Sequence, residues 1–187
     1  MDCNWKVYVD NYMEGYHLPS VHPSLNRELD YNAYEITLFR NYSLQTSPIR
    51  GPENEATVER HYKQSAGDLA AEYYWFYPNW MLNCYPDNMS LNIVLPVSAE
   101  KCVAIFVWFF EEERLKTSGP EQTYKFSDEI QMEDGHICEV VHRNLKSQSY
   151  DRGRYSVKQE KSLHLFHRTY LEMLSGKTEA STVSTTS

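Results

Sequence analysis

Apolar and polar positions along the chain fall into three regimes. Between Asn4 and Tyr16, the residues Trp5, Tyr8, Val9, Tyr12, Met13 and Tyr16 recur on one helical face or its flank. This predicts a helix over 4–16 with Asn4 as its N-cap. Asp10, Glu14 and His17 fall at i, i+4 and i+7 and share a second stripe, and Leu18-Pro19 ends the helix because the residue before proline disfavours helical geometry. From residue 33 the period shortens toward two. Extended runs are expected over 33–46, 71–77, 80–85, 89–97 and 101–112, with a weaker one over 57–62. Pro-Asn, Pro-Asp-Asn and Ser-Ala-Glu connections between them favour antiparallel hairpins. Helical periodicity returns over 127–145, where Ile130, Ile137, Val141 and Leu145 mark an apolar face, and again over 156–174 after a 150–154 loop. Helix, a run of strands, then two helices predicts an α+β fold in which a curved antiparallel sheet grips a long helix.

Composition narrows the class. The 187 residues suit one domain, expected over 1–175. Eight Ser/Thr among the last 13 residues predict a disordered tail over 176–187. A net charge of −8 without a basic cluster argues against nucleic acid. No apolar run is long enough for a membrane span, and the N-terminus lacks a secretory signal pattern. Four scattered cysteines form neither a disulfide framework nor a paired metal spacing, so a reducing, cytoplasmic setting is expected. The chain opens directly on its first helix, and further sequence is expected upstream.

The densest chemistry lies at Glu14-Gly15-Tyr16-His17-Leu18-Pro19-Ser20-Val21-His22, with two histidines five apart and an acid three before the first. Imidazole suits Fe, Zn, Cu or Ni, and a third ligand must come from elsewhere. Asp134 stands four after Ile130, three before Ile137 and seven before Val141, on the expected apolar face, where an unpaired carboxylate is costly. Neighbouring Glu133 is turned away by about 100° of helix rotation. Together His17, His22 and Asp134 are the complement of a 2-His-1-carboxylate triad suited to non-haem Fe(II) and O2. The same donors suit catalytic zinc, and spacing does not separate the two metals.

The stretch CNWKVYVDNYMEGYHLPSVHPSL resembles the iron-site segment of Rieske non-haem iron oxygenase alpha subunits. The segments FYPNWMLNCYPDNMSLNIVLPV and DEIQMEDGHICEVVHRNLKSQSYDRGRYSVKQEKSLHLFH extend the resemblance to about residues 3–172. Within that family the likeness is greatest to the branch acting on choline, carnitine and glycine betaine. It implies a helix-grip (START/Bet v 1-like) catalytic domain holding mononuclear Fe(II) on His17, His22 and Asp134. It also implies Glu14 as the acid bridging an iron-ligand histidine to the Rieske cluster of a neighbouring subunit, usually in a homotrimer. Electrons would come from an NAD(P)H-dependent reductase. The family's C-x-H and C-x-x-H cluster motifs are missing from this sequence, so the [2Fe–2S] centre is expected from a Rieske domain outside it.

The 15 Tyr, 7 Phe and 4 Trp supply a substrate clue. Strand alternation sends about half of the aromatic runs inward, where ring faces attract a quaternary ammonium. Tyr77, Trp80, Tyr85 and Phe110 are the expected wall residues. An apolar aromatic substrate would use the same wall, which keeps ring hydroxylation open. A ligand-binding helix-grip module without catalysis and a zinc hydrolase are the readings from other classes. His61, His136, His142, His164 and His167 are expected to be structural.

Overall fold

In the computed structural model, which describes residues 1–49, 70–117 and 119–176, the first helix forms but stops early. α1 spans Trp5–Tyr12, with the Asn4 side chain accepting from the Lys6 backbone N–H. It does not reach residue 16. The Glu14 carboxylate instead accepts from the backbone N–H groups of Tyr16 (2.7 Å) and His17 (3.2 Å). A side chain that satisfies the backbone locally competes with continuing the helix. Gly15 lies at this break against the Tyr34 ring, where a Cβ would come within 2.8 Å of ring carbon. Pro19 then acts as an opener: it sits in the first turn of α2 (Leu18–Val21), and Pro23 opens α3 (Pro23–Glu28). Proline suits a first turn because that N–H has no intrahelical acceptor.

The strands form one six-stranded antiparallel meander in chain order. They are β1 (Glu35–Leu38), β2 (Tyr42–Pro48), β3 (Ala70–Phe76), β4 (Trp80–Tyr85), β5 (Asn88–Pro96) and β6 (Cys102–Phe110). The run expected over 33–46 is thus a hairpin of two strands. Inward positions alternate along each strand. On β5 they are Asn88, Ser90, Asn92 and Val94, all buried. On β2 they are Ser43, Gln45 and Ser47, so the polar set faces in and Leu44 faces out. Gln45 donates to the Tyr12 carbonyl (2.9 Å) and Ser47 to that of Asp30 (3.3 Å). The ends of helices and turns land on this strand, and their carbonyls need donors.

After β6 come α4 (Glu112–Leu115), α5 (Gly119–Asn144) and α6 (Lys161–Leu174). At 26 residues, α5 is about 39 Å long. Its buried side is Ile130, Gly135, Cys138 and His142. Val141 and Leu145, expected inside, are 40% and 41% exposed. The helix buries the side that meets α1, where Cys138 lies beneath the Val7 carbonyl. Asp134, four before Cys138, still falls on that side. His142 is buried too, against Glu100 at 3.2 Å. Trp75, Met81, Val94, Phe166, Met13 and Cys138 build the main core between sheet and helices. A second cluster of Leu18, Leu25, Leu29, Ala71 and Ile130 seats α2 and α3.

All four cysteines are free, and no described helix is long and apolar enough to cross a membrane. The strand expected over 57–62, His61, and the tail beyond Gly176 lie outside the described residues.

Candidate metal centre

Three elements bring the expected triad together. His17 precedes α2, His22 sits between α2 and α3, and Asp134 projects from α5. The imidazole Nε2 atoms of His22 and His17 lie 2.9 and 3.7 Å from Asp134 Oδ1. The three donor atoms fall within 4.8 Å of one another, and among the described residues no other such group converges. Ligand atoms about 2.1 Å from one ion at right angles lie about 3 Å apart, a spacing the His22–Asp134 pair meets and the His17–Asp134 pair approaches.

The outer nitrogens decide what the centre can hold. His17 Nδ1 is 2.5 Å from Glu14 Oε1, and His22 Nδ1 is 2.7 Å from Glu133 Oε2. Each imidazole therefore faces a carboxylate oxygen on both sides. A neutral ring has one N–H to donate. Its second nitrogen presents a lone pair to Asp134 unless a cation stands between them. A proton or a metal ion meets that need. Burial alone pushes the His22 imidazole down, but hydrogen bonds and charge from Asp134 and Glu133 outweigh it and raise its pKa.

Two contributors were not expected from the sequence. Asn11 donates to Asp134 Oδ1 at 2.6 Å. Glu133, expected to point elsewhere, reaches His22. The rotation argument holds for Cβ directions, but His22 lies between the two acids of the E-D pair and the longer Glu side chain closes the gap. No local spacing marked Asn11, because its partner lies 123 residues away on α5.

A model of the ring-hydroxylating alpha subunit catalytic domain matches residues 1–176. The chain belongs to this family. It is 39% identical over 172 residues to a chloroplastic choline monooxygenase of Arabidopsis thaliana, covering 89% of this chain and 38% of that protein. A carnitine monooxygenase oxygenase subunit of Acinetobacter baumannii is 29% identical over 163 residues, covering 86% and 43%. The solved structure of the quaternary ammonium Rieske monooxygenase CntA with an inhibitor superposes with a TM-score of 0.72 at 26% identity, covering 90% of this chain and 46% of that one. The chain spans less than half the length of these relatives.

The triad opens into a cavity with about 820 Å³ of atom-free space, including its mouth. Tyr85 lines it. Tyr77, Trp80 and Phe110 do not. Tyr77 packs against Trp75 and Phe166 in the core, Trp80 is 50% exposed on the sheet's outer face, and Phe110 meets the Tyr124 ring. The aromatic wall is instead Tyr8, Tyr12, Tyr34, Tyr73, Tyr85, Trp108 and Phe126. Several hydroxyls are already engaged: Tyr12 donates to Asn83 Oδ1 (2.7 Å), Tyr8 to Gln131 (2.5 Å), and Tyr73 and Tyr85 pair at 2.7 Å. What those rings offer a ligand is π surface. Because Tyr34 leans on Gly15, Gly15→Ala is expected to displace that ring and cost about 1–3 kcal/mol in urea unfolding. An unchanged unfolding midpoint would show that Tyr34 moves aside freely.

Proposed function

We propose that the chain is the catalytic domain of a Rieske-type oxygenase that uses Fe(II) and O2 to hydroxylate a quaternary amine such as choline. The observation that carries the reading is the need for a cation between the buried His22, the largely covered His17 and Asp134, in an aromatic-lined cavity. Fe(II) held by His17, His22 and Asp134 supplies, when bound, open coordination positions for O2 activation. In the balance, one oxygen atom enters a substrate C–H bond and the other leaves as water, with two electrons and two protons consumed.

The chain's own residues set the stage. Glu14, only 7% exposed, accepts from the outer N–H of His17 and fixes its orientation. In this reading it also faces the Rieske [2Fe–2S] domain of a neighbouring subunit in a homotrimer, with electrons drawn from an NAD(P)H-dependent reductase. Carnitine oxidation and inter-subunit electron transfer, both described for a quaternary ammonium Rieske monooxygenase of the same fold, fit such an arrangement. The four free cysteines suit a reducing compartment, whether cytoplasm or the chloroplast of the plant relatives.

Two features of the cavity favour a cation without a carboxylate. Its described lining includes Glu14 and Asp134 and no Lys or Arg. Asn92, 1% exposed, lines it with an unpartnered Oδ1, an acceptor suited to a substrate hydroxyl. Calorimetry on the Fe(II)-loaded chain is expected to rank choline above carnitine and glycine betaine, with naphthalene weaker still. Asn92→Ala should weaken choline by about tenfold, one hydrogen bond's worth, and leave tetramethylammonium unchanged. Equal losses for both cations would remove Asn92 from recognition. Naphthalene binding without choline binding would replace this reading with ring hydroxylation. Ligand binding by a chain that takes up no iron would make it a binding module.

A further inference from the structure

One carboxylate beside the triad is not itself placed to be a ligand. Glu133 is 29% exposed, as a solvated helix residue would be, yet its Oε2 lies 2.7 Å from Nδ1 of His22, a ring only 1% exposed. The next residue on the same helix, Asp134, faces the opposite nitrogen of that ring at 2.9 Å. One turn of α5 therefore grips a single imidazole at both ends.

We infer that Glu133 is a positioning residue for the metal centre, holding His22 in the tautomer that presents the Nε2 lone pair to the ion. This rests on the reading of His17, His22 and Asp134 as metal ligands. The logic is that of a hydrogen-bond acceptor. A carboxylate at Nδ1 keeps the proton there and leaves Nε2 free to ligate. His22 has no helix to orient it, since it lies at the junction of two short ones. Its Nδ1 contact with Glu133 and its packing supply what a rigid element otherwise would. His17 receives the same treatment from Glu14, at 2.5 Å. The two outer acids differ in origin. Glu14 comes from the same segment as its histidine, whereas Glu133 comes from α5 and ties the histidine loop to the helix that carries the third ligand. Its loss therefore loosens both the tautomer and the spacing between His22 and Asp134.

The test is anaerobic calorimetry of Fe(II) binding on the purified chain, with circular dichroism confirming the fold of each variant. Glu133→Ala is expected to weaken Fe(II) binding by about 10- to 100-fold. Glu133→Gln, whose amide oxygen still accepts from Nδ1–H, is expected to recover most of that loss. Glu129→Ala, one turn earlier and bonded to Ser24 at 2.7 Å, should bind as wild type. A second readout follows the tautomer itself. In the Zn(II)-loaded chain, ¹⁵N spectra should place the His22 proton on Nδ1 in wild type and Glu133→Gln, and report mixed protonation in Glu133→Ala. Wild-type affinity in Glu133→Ala, or a Glu133→Gln variant as weak as it, would overturn the assignment. Failure of the wild-type chain to bind any metal would instead overturn the reading of the triad.

Discussion

Asp134→Asn is expected to leave the chain folded and unable to retain iron. The substitution keeps the side chain's shape but removes the one carboxylate that, among the described residues, faces both Nε2 atoms. Taking one partner out of a buried charged cluster costs about 3–5 kcal/mol, which is roughly 10²- to 10⁴-fold in affinity. Metal analysis after gel filtration should fall from one Fe(II) per chain to a trace, and the Fe(II)–nitrosyl resonance should vanish. A variant that keeps one tightly held iron per chain would remove Asp134 from the ligand set. The same substitution has a second consequence in the metal-free protein. The pKa of His22 is raised in the fold, with Asp134 and Glu133 overcoming burial. A raised histidine stabilises the folded state fully below its ordinary value near 6.5, and that contribution is lost as pH climbs through the raised one. Metal-free wild type should therefore lose stability across that window, and Asp134→Asn should lose less. Metal binding requires the neutral ring, so the loaded protein should show the opposite slope over the same range.

How much of this was legible in the sequence differs by residue. The strands β3 to β6 were readable because runs rich in aromatic and β-branched residues are broken by Pro-Asn, Pro-Asp-Asn and Ser-Ala-Glu turns. β2 was the exception: its inward face is the polar set Ser43, Gln45 and Ser47, and Gln45 and Ser47 serve carbonyls of other segments, a demand that no local pattern records. The helix ends were misread where side chains intervene. Glu14 stops α1 by bonding the backbone ahead of it, and Pro19 and Pro23 begin helices instead of following them. The triad came through because its residue types are rare together and Asp134 is out of place on a buried face. The route to Asp134 was partly mistaken, since Val141 and Leu145 face outward, but the buried side defined by Ile130 and Cys138 includes it all the same. The wall of the cavity was the least legible part. Aromatic richness announced it, yet alternation alone does not tell a core ring such as Tyr77 from a cavity ring such as Tyr73 without the sheet's curvature.

Phe166→Ala is expected to produce the largest loss of stability of any single substitution considered. The ring is fully buried and meets Trp5, Trp75, Tyr77 and Tyr170 at centroid distances of 5.8, 5.5, 6.4 and 6.1 Å. Truncating such a ring costs about 3–5 kcal/mol, a large part of a usual 5–15 kcal/mol total. Urea unfolding should show that drop, while Leu171→Ala, 64% exposed on the same helix, should stay within about 0.5 kcal/mol of wild type. The effect should also reach the metal centre. Trp5 stands at the start of α1, and His167, next to Phe166, holds Asp10 of that helix at 2.8 Å. The same helix carries Asn11, which steadies Asp134. A ligand that binds only the folded state returns about 2.7 kcal/mol at a hundredfold excess over its Kd. Fe(II) should therefore restore much of the loss in Phe166→Ala and none of it in the double variant with Asp134→Asn. Should iron rescue the double variant equally, its stabilising site would have to lie away from His17, His22 and Asp134. If Phe166→Ala costs under about 1 kcal/mol, α6 would be an appendage of the sheet and not a wall of its core.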